Sequence, residues 1–124
     1  MSQLLSTMTV DERRAFAEAK NAEFIGQSPE KALEYFLNAF PSSSALSSSL
    51  SYEDQAITDM MVKIRKDVRI FTLDTGRQFP ETYDLIDRTN MQYGIKIEVF
   101  FPDFHKVQEM VRKHGINLFY DSVE

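Results

Sequence analysis

The 124-residue chain contains no cysteine, and this absence limits its chemistry. Disulfides, thiolate catalysis, cysteine-ligated zinc and iron–sulfur clusters held by this chain are all excluded. No stretch approaches the ~20 apolar residues of a membrane span. The charged segment 11–14 interrupts any secretory signal near the N-terminus. We therefore expect a cytoplasmic protein with no membrane partner and no catalytic cysteine.

An excess of basic residues is also missing, because the formal net charge is -5. Proteins that coat nucleic acids neutralise phosphates with a basic surface. The charge therefore argues against nucleic acid as a partner. It leaves room for a single anionic ligand that is held locally.

The first 40 residues predict a helical pair. Thr9 and Glu12 form a capping-box pattern, which predicts a helix from Val10 to about Phe24. Ser28 and Pro29 have the residue types of an N-cap and a first helical position. That second helix should end near residue 40, because a proline follows there. We assign residues 1–40 to an N-terminal helical segment and residues 41–124 to a second domain.

From residue 42 onward, strands and helices alternate. This order predicts an α/β fold, with a parallel sheet covered by helices. The clear elements are a helix from near Glu53, a strand Val68–Leu73, a helix from Pro80 ended by Gly94, a strand Ile95–Phe101, and a helix capped by Asp103, with Phe104, Val107, Met110 and Val111 inside, closed by Gly115.

Residues 42–51 permit two interpretations, because seven of these ten residues are serine. Composition favours a flexible linker. The alternative is a short strand through Ala45 and Leu46 that opens into a loop. A buried parallel strand is usually richer in Val, Ile and Leu than this segment is.

Two loops follow predicted strands, at the sheet edge where α/β proteins bind ligands. The first loop, residues 47–54, offers serine hydroxyls and amides at a helix N-terminus, which suit an anion. Glu53 and Asp54 oppose an anion there, so a serine-capped helix with acidic first-turn residues is the alternative. The second loop, residues 73–83, offers Asp74, Gly76 and Arg77 to a ligand. The alternative is an ordinary strand-to-helix turn.

The two histidines, His105 and His114, show no spacing typical of a metal site. We interpret both as surface or helix-end residues.

The second loop resembles a known signature. Leu73–Arg77 with Phe79–Tyr83 is similar to the signature of assimilatory adenylyl-sulfate (APS) and phosphoadenylyl-sulfate (PAPS) reductases. The similarity runs from about residue 36 to the end, through 97–103 and 117–124, and residues 45–55 resemble the family's pyrophosphate loop. It implies an adenine-nucleotide α-hydrolase-like, Rossmann-like parallel sheet that is incomplete here. It also favours a strand over a linker at Ala45–Leu46.

The resemblance implies a reaction and a site. The family reduces APS or PAPS to sulfite and AMP or adenosine 3′,5′-bisphosphate, with thioredoxin or glutaredoxin as the electron donor. Arg77 resembles the APS-using subgroup, whose full-length members carry a [4Fe-4S] cluster. By this resemblance Ser48 and Ser49 face the phosphosulfate or ribose, and the Leu73 backbone meets the adenine edge. The other residues implied for the pocket are Asp74, Thr75, Gly76 and Arg77.

Two departures from the family pattern bear on function. Leu50-Ser51 stands where the family usually has Phe-Gly, and serine adopts positive φ less readily than glycine. The family's cysteines follow the segment that matches Val123-Glu124, and the present sequence has none. We therefore expect a chain that binds a sulfonucleotide but does not reduce it alone. The alternatives are a non-catalytic nucleotide-binding or interaction module, or another enzyme of the ATP-pyrophosphatase type.

The resemblance also bears on assembly. Later strands of the family sheet pair with the first strand, and those strands are missing from this sequence. The Ala45–Leu46 strand is therefore expected to lie at an open edge, which permits self-association.

Overall fold

The computed structural model describes residues 2–118, with side chains from Leu5 onward. Within this range three helices are followed by three strands that alternate with three further helices, in the predicted α/β order. The elements are α1 (Ser2–Thr7), α2 (Val10–Phe24), α3 (Pro29–Ala39), β1 (Ala45–Ser47), α4 (Tyr52–Ile64), β2 (Arg69–Leu73), α5 (Pro80–Tyr93), β3 (Glu98–Phe100) and α6 (Phe104–His114).

The predicted helical pair corresponds to α2 and α3, and the short helix α1 precedes it. The capping box is present, since the Thr9 amide donates to Glu12 Oε2 at 2.7 Å and the Glu12 amide donates to Thr9 Oγ1 at 3.3 Å. Pro29 is the first residue of α3, as predicted. Helix α3 packs against α4, and Arg65 just beyond α4 donates to the Leu37 carbonyl at 2.9 Å. The helical segment is thereby tied to the sheet.

The serine-rich segment contains a strand, so the linker interpretation was wrong for Ala45–Ser47. β1 pairs in parallel with β2, which pairs in parallel with β3, and the order is β1-β2-β3. The Ser48 amide extends the first pairing by donating to the Phe71 carbonyl at 2.8 Å. Main-chain groups make these bonds, so the strand forms without a run of branched apolar side chains. β1 lies at one edge of the sheet described here, and self-association through it stays a prediction.

The core lies on one face of β2. Five buried side chains form it, contributed by the loop after β1, α4, β2, α5 and the segment before β3. Helices α4 and α5 therefore cover this face. Of the strand positions that point to the opposite face, Arg69 and Leu73 are exposed and Phe71 is half-buried. The core residues are Leu50, Val62, Ile70, Ile86 and Ile97.

The third strand is shorter than predicted. It spans Glu98–Phe100 rather than Ile95–Phe101. The Ile95 amide donates to the Asn90 carbonyl at 3.2 Å, and the Ile97 amide donates to Asn90 Oδ1 at 2.8 Å. Because these amides close the end of α5, they do not join the sheet ladder, although Ile97 is still buried in the core.

The predicted caps of helix α6 are confirmed, but one of the four residues predicted for its inner face is exposed. Asp103 accepts from the Lys106 amide at 3.1 Å, and Gly115 follows the helix. Val107, Met110 and Val111 are half-buried, whereas Phe104 is 63% exposed. The Phe104 ring instead lies 3.8 Å from the ring of His105, because the first turn of the helix extends beyond the core. Phe104 was therefore wrongly placed inside.

Both histidines are exposed, as expected. Across residues 2–118, no helix is long and apolar enough to cross a membrane. The final family-like segment, Phe119–Glu124, lies outside the described residues.

Candidate functional site

A cleft opens where β1 and β2 end. Because the two strands are parallel neighbours, their carboxyl ends meet at the same sheet edge, and the loops that follow them face each other. The cleft has a volume of about 410 Å³. Its lining residues are Ser47, Ser48, Ser49, Asp54, Thr72, Leu73, Gln78 and Thr82.

The first loop reverses direction at Leu50. Leu50 has φ +65 and is the only non-glycine residue in the described chain with positive φ. Ser51, where the sequence suggested the conformational difficulty, is extended at φ -68. The left-handed conformation places the Leu50 side chain in the core, where it is 7% exposed. Burial of an apolar side chain thus offsets a backbone cost of about 1–2 kcal/mol.

Two serines of this loop have different environments. Ser48 is buried, and its hydroxyl oxygen accepts from the Leu50 amide at 3.0 Å. Ser49 is exposed, and both its amide and its hydroxyl donate to Asp54 Oδ2, at 2.5 and 2.7 Å. These bonds lower the pKa of Asp54, the hydroxyl bond contributing most. A carboxylate therefore lies on the donors that the sequence predicted for a ligand anion.

The second loop is organised by Asp74, whose side chain is buried at 5% exposure. Its Oδ1 accepts from the Gly76 amide at 2.7 Å, and its Oδ2 accepts from the Tyr83 hydroxyl at 2.8 Å. The Asp74 amide donates to the Phe100 carbonyl at 2.9 Å. Asp74 thus joins the end of β2 to the first turn of α5 and to β3.

Titration of Tyr83 tests this arrangement. The hydrogen bond to Asp74 raises the pKa of Tyr83, because loss of the phenol proton would place two anions side by side. The bond stabilises the fold fully below the pKa of an unfolded tyrosine, and this contribution is lost as pH rises through the raised folded value. In a pH titration followed by phenolate absorbance, we expect Tyr83→Phe to remove one transition, whose midpoint lies above the ordinary tyrosine pKa of about 10.

The control for that titration is Asp74→Asn, which should move the same transition downward. If Tyr83→Phe instead removes a transition at the ordinary value, the hydrogen bond is absent in solution.

The remaining residues predicted for this loop lie beside the cleft. Thr75 is exposed, and Gly76 has φ +79. The Arg77 guanidinium donates to the Ile116 carbonyl, beyond the end of α6. The structure therefore brings Ser48, Ser49 and Leu73 together in the cleft. It places Asp74, Thr75, Gly76 and Arg77 in the loop that forms its flank, and none of these four lines the cleft.

Five lining residues were absent from the predicted site: Ser47, Asp54, Thr72, Gln78 and Thr82. The alternation of inward and outward side chains along β2 could have indicated that Thr72 is buried, because its neighbour Leu73 is exposed. Gln78 donates to the Leu73 carbonyl at 3.4 Å, and no spacing pattern indicates that contact.

The chain offers no ligand set for the iron–sulfur cluster that the resemblance implies. Such clusters are held by cysteine thiolates, and the sequence has none. Between residues 2 and 118, no group of three or more His, Asp or Glu residues could hold a metal ion. The residues present therefore do not fit that cofactor.

Comparison with known proteins identifies a family. The family profile described as phosphoadenosine phosphosulfate reductase domain matches residues 43–123. The adenosine 5'-phosphosulfate reductase of Agrobacterium fabrum is 36% identical over 120 residues, which is 95% of this chain and 46% of that protein.

Two plant proteins are also similar. The 5'-adenylylsulfate reductase 3, chloroplastic, of Arabidopsis thaliana is 37% identical over 97% of this chain and 26% of its own length. The probable 5'-adenylylsulfate reductase 1, chloroplastic, of Oryza sativa subsp. japonica is 40% identical over 84% of this chain and 22% of its own length. The chain thus spans less than half the length of these relatives.

Proposed function

Because the chain belongs to the phosphoadenosine phosphosulfate reductase family, we propose that its cleft binds the sulfonucleotide substrate of that family. One observation supports this most directly. The serine loop after β1 and the Leu73 end of β2 line the same cleft, although 22 residues or more separate them in the chain. The segment that resembles the family's pyrophosphate loop and the end of the strand that opens its signature therefore converge on one space.

We assign the polar groups of the cleft by their chemistry. Ser49 offers an amide and a hydroxyl to the phosphosulfate. The hydroxyl oxygen of Ser48 already accepts a bond from the Leu50 amide, so its hydrogen can donate to a ligand oxygen. The main chain at Leu73 faces the adenine edge. Asp74 holds the second loop in place through Gly76 and Tyr83.

We propose APS as the preferred substrate. This choice rests on the names of the relatives from Agrobacterium and Arabidopsis, which are APS reductases, and on Arg77, which resembles the APS-using subgroup. Reduction to sulfite and AMP needs a thiolate and two electrons. We propose that thioredoxin or glutaredoxin supplies the electrons and that the thiolate comes from outside these 124 residues.

A second candidate is a nucleotide-binding module without catalysis. Such a module would use the cleft alone and would need no nucleophile. Both functions require that the cleft binds an adenylate.

Calorimetric titration tests that shared requirement. We expect saturable binding of APS and AMP by the folded chain, and none of GMP, whose base presents a different edge. Ser49→Ala should weaken APS binding by about tenfold to a hundredfold, since a hydrogen bond to a charged group contributes about 1.5–3 kcal/mol. Ser43→Ala is the matched control, because Ser43 lies in the same serine-rich stretch but does not line the cleft, and it should bind normally.

Failure of both APS and AMP to bind a chain with intact secondary structure would refute the proposal. Equal losses in Ser49→Ala and Ser43→Ala would refute the placement of the anion.

A further inference from the structure

The cleft has an unusual charge for a site that receives an anion. Its described lining contains one ionisable side chain, Asp54, and that side chain is acidic. The other lining residues are neutral. A sulfonucleotide therefore meets a negative charge at the position where its phosphate needs donors.

The Asp54 carboxylate lies where the anion of a ligand would bind. Asp54 Oδ2 receives both the amide and the hydroxyl of Ser49, at 2.5 and 2.7 Å. One carboxylate oxygen thus occupies the pair of donors that a phosphate or sulfate oxygen would use. The Ser49 hydroxyl also lies 3.1 Å from the Ser51 hydroxyl, so the loop is closed on itself.

We propose that Asp54 is an internal competitor for the anion end of the ligand and sets the affinity of the cleft for phosphorylated over unphosphorylated adenosine. This inference rests on the proposed function, since it concerns the same cleft. A ligand phosphate displaces the Asp54 carboxylate from Ser49 rather than filling an empty site. The carboxylate also keeps the loop ordered when no ligand is bound.

The contacts support competition by the ionised form. The bonds from Ser49 hold the pKa of Asp54 below its ordinary value, so Asp54 is charged at neutral pH. Neighbouring Glu53 also has a lowered pKa, mainly through a backbone amide hydrogen bond and then through Ser51. Glu53 carries the same charge without lining the cleft, which makes it a matched control.

The substitution Asp54→Asn separates charge from shape. An asparagine oxygen can still accept from Ser49, so the loop can keep its hydrogen bonds while the negative charge is removed. We expect Asp54→Asn to bind AMP and APS roughly fivefold to tenfold more tightly than the wild type at low salt, the effect of one unit charge a few ångströms away in a partly solvated cleft. Adenosine should bind equally to both. The gain should shrink at high salt, because salt screens exposed charges.

The measurement is titration of wild type, Asp54→Asn and Glu53→Gln with adenosine, AMP and APS. A gain for AMP and APS in Asp54→Asn alone supports competition. An equal gain in Glu53→Gln shows a general charge effect and overturns it, as does weaker binding of all three ligands by Asp54→Asn, which shows that Asp54 only holds the loop.

The test also separates this inference from the proposed function. If wild type binds AMP and Asp54→Asn gains nothing, only the inference fails. If neither protein binds AMP or APS, both fail.

Discussion

When APS is incubated with the purified chain and reduced thioredoxin, we expect no sulfite above the level of a protein-free control. The family resemblance implies that reduction of the sulfate sulfur begins when a thiolate attacks it, forms an enzyme S-sulfonate and expels AMP. A second thiol then releases sulfite and leaves a disulfide, which accounts for the two electrons. Only a cysteine supplies that nucleophile near neutral pH, and the chain has none.

The control for this assay is the Agrobacterium relative, which carries the name adenosine 5'-phosphosulfate reductase and should release sulfite under the same conditions. The chain should still bind APS by calorimetry in that buffer, so that lack of turnover is not lack of binding. Steady sulfite release by the chain at a rate proportional to its concentration would contradict the prediction.

A large loss of stability is expected on truncation of Leu50. Leu50→Ala should lower the free energy of unfolding by about 2–4 kcal/mol, because it removes a buried side chain from the core. Leu50→Gly loses the same contacts, but glycine adopts φ +65 without the cost that alanine bears there. Leu50→Gly should therefore be at least as stable as Leu50→Ala, the reverse of the usual order.

Denaturant unfolding monitored by circular dichroism measures these differences. Leu46→Ala and Leu46→Gly form the matched pair, because Leu46 lies in β1 and its backbone is not left-handed. There glycine should be the less stable by roughly 0.5–1 kcal/mol. Leu73→Ala, at a residue 59% exposed, should change stability by about 0.5 kcal/mol or less. A Leu50→Gly variant clearly less stable than Leu50→Ala would show that φ at residue 50 is not positive in solution.

These two predictions draw on different sources. The first follows from the absence of one residue type and from the family chemistry. The second needs the structure, since no local pattern at Leu50 indicates a left-handed backbone. The departure Leu50-Ser51 from the family's Phe-Gly pointed to a difficulty in this loop, but it pointed to Ser51.

Several elements were predictable because their signals are local. Helix α2 has its capping box, α5 has Pro80 at its start and Gly94 at its end, and α6 has Asp103 before it. Each of these residues acts on a backbone group within a few positions, so short-range spacing suffices. The strand β1 was different, because serine composition favoured a linker and only the resemblance favoured a strand. Its hydrogen bonds are made with β2, more than 20 residues away.

The candidate site also combines residues that the sequence indicated with contacts that only the structure shows. Ser48, Ser49 and Leu73 line the cleft, and the ligand contacts that the resemblance implies for them stay a prediction. Asp74 had the residue type of a ligand-binding group, but its carboxylate is directed to Gly76 and Tyr83. A side chain of that kind can bind a ligand or hold a loop, and its neighbours decide which.

The amino-acid sequence by itself determined the α/β order, most helix boundaries, the family resemblance and the lack of a thiol nucleophile. These properties depend on residue identity and on spacings of a few positions. Only the tertiary structure decided that β1 pairs with β2, that Leu50 carries the left-handed turn and that Asp54 lies on the Ser49 donors. Those outcomes depend on which groups meet in space, because main-chain pairing, core burial and a contact between a loop and a helix turn all join parts of the chain that no local pattern connects.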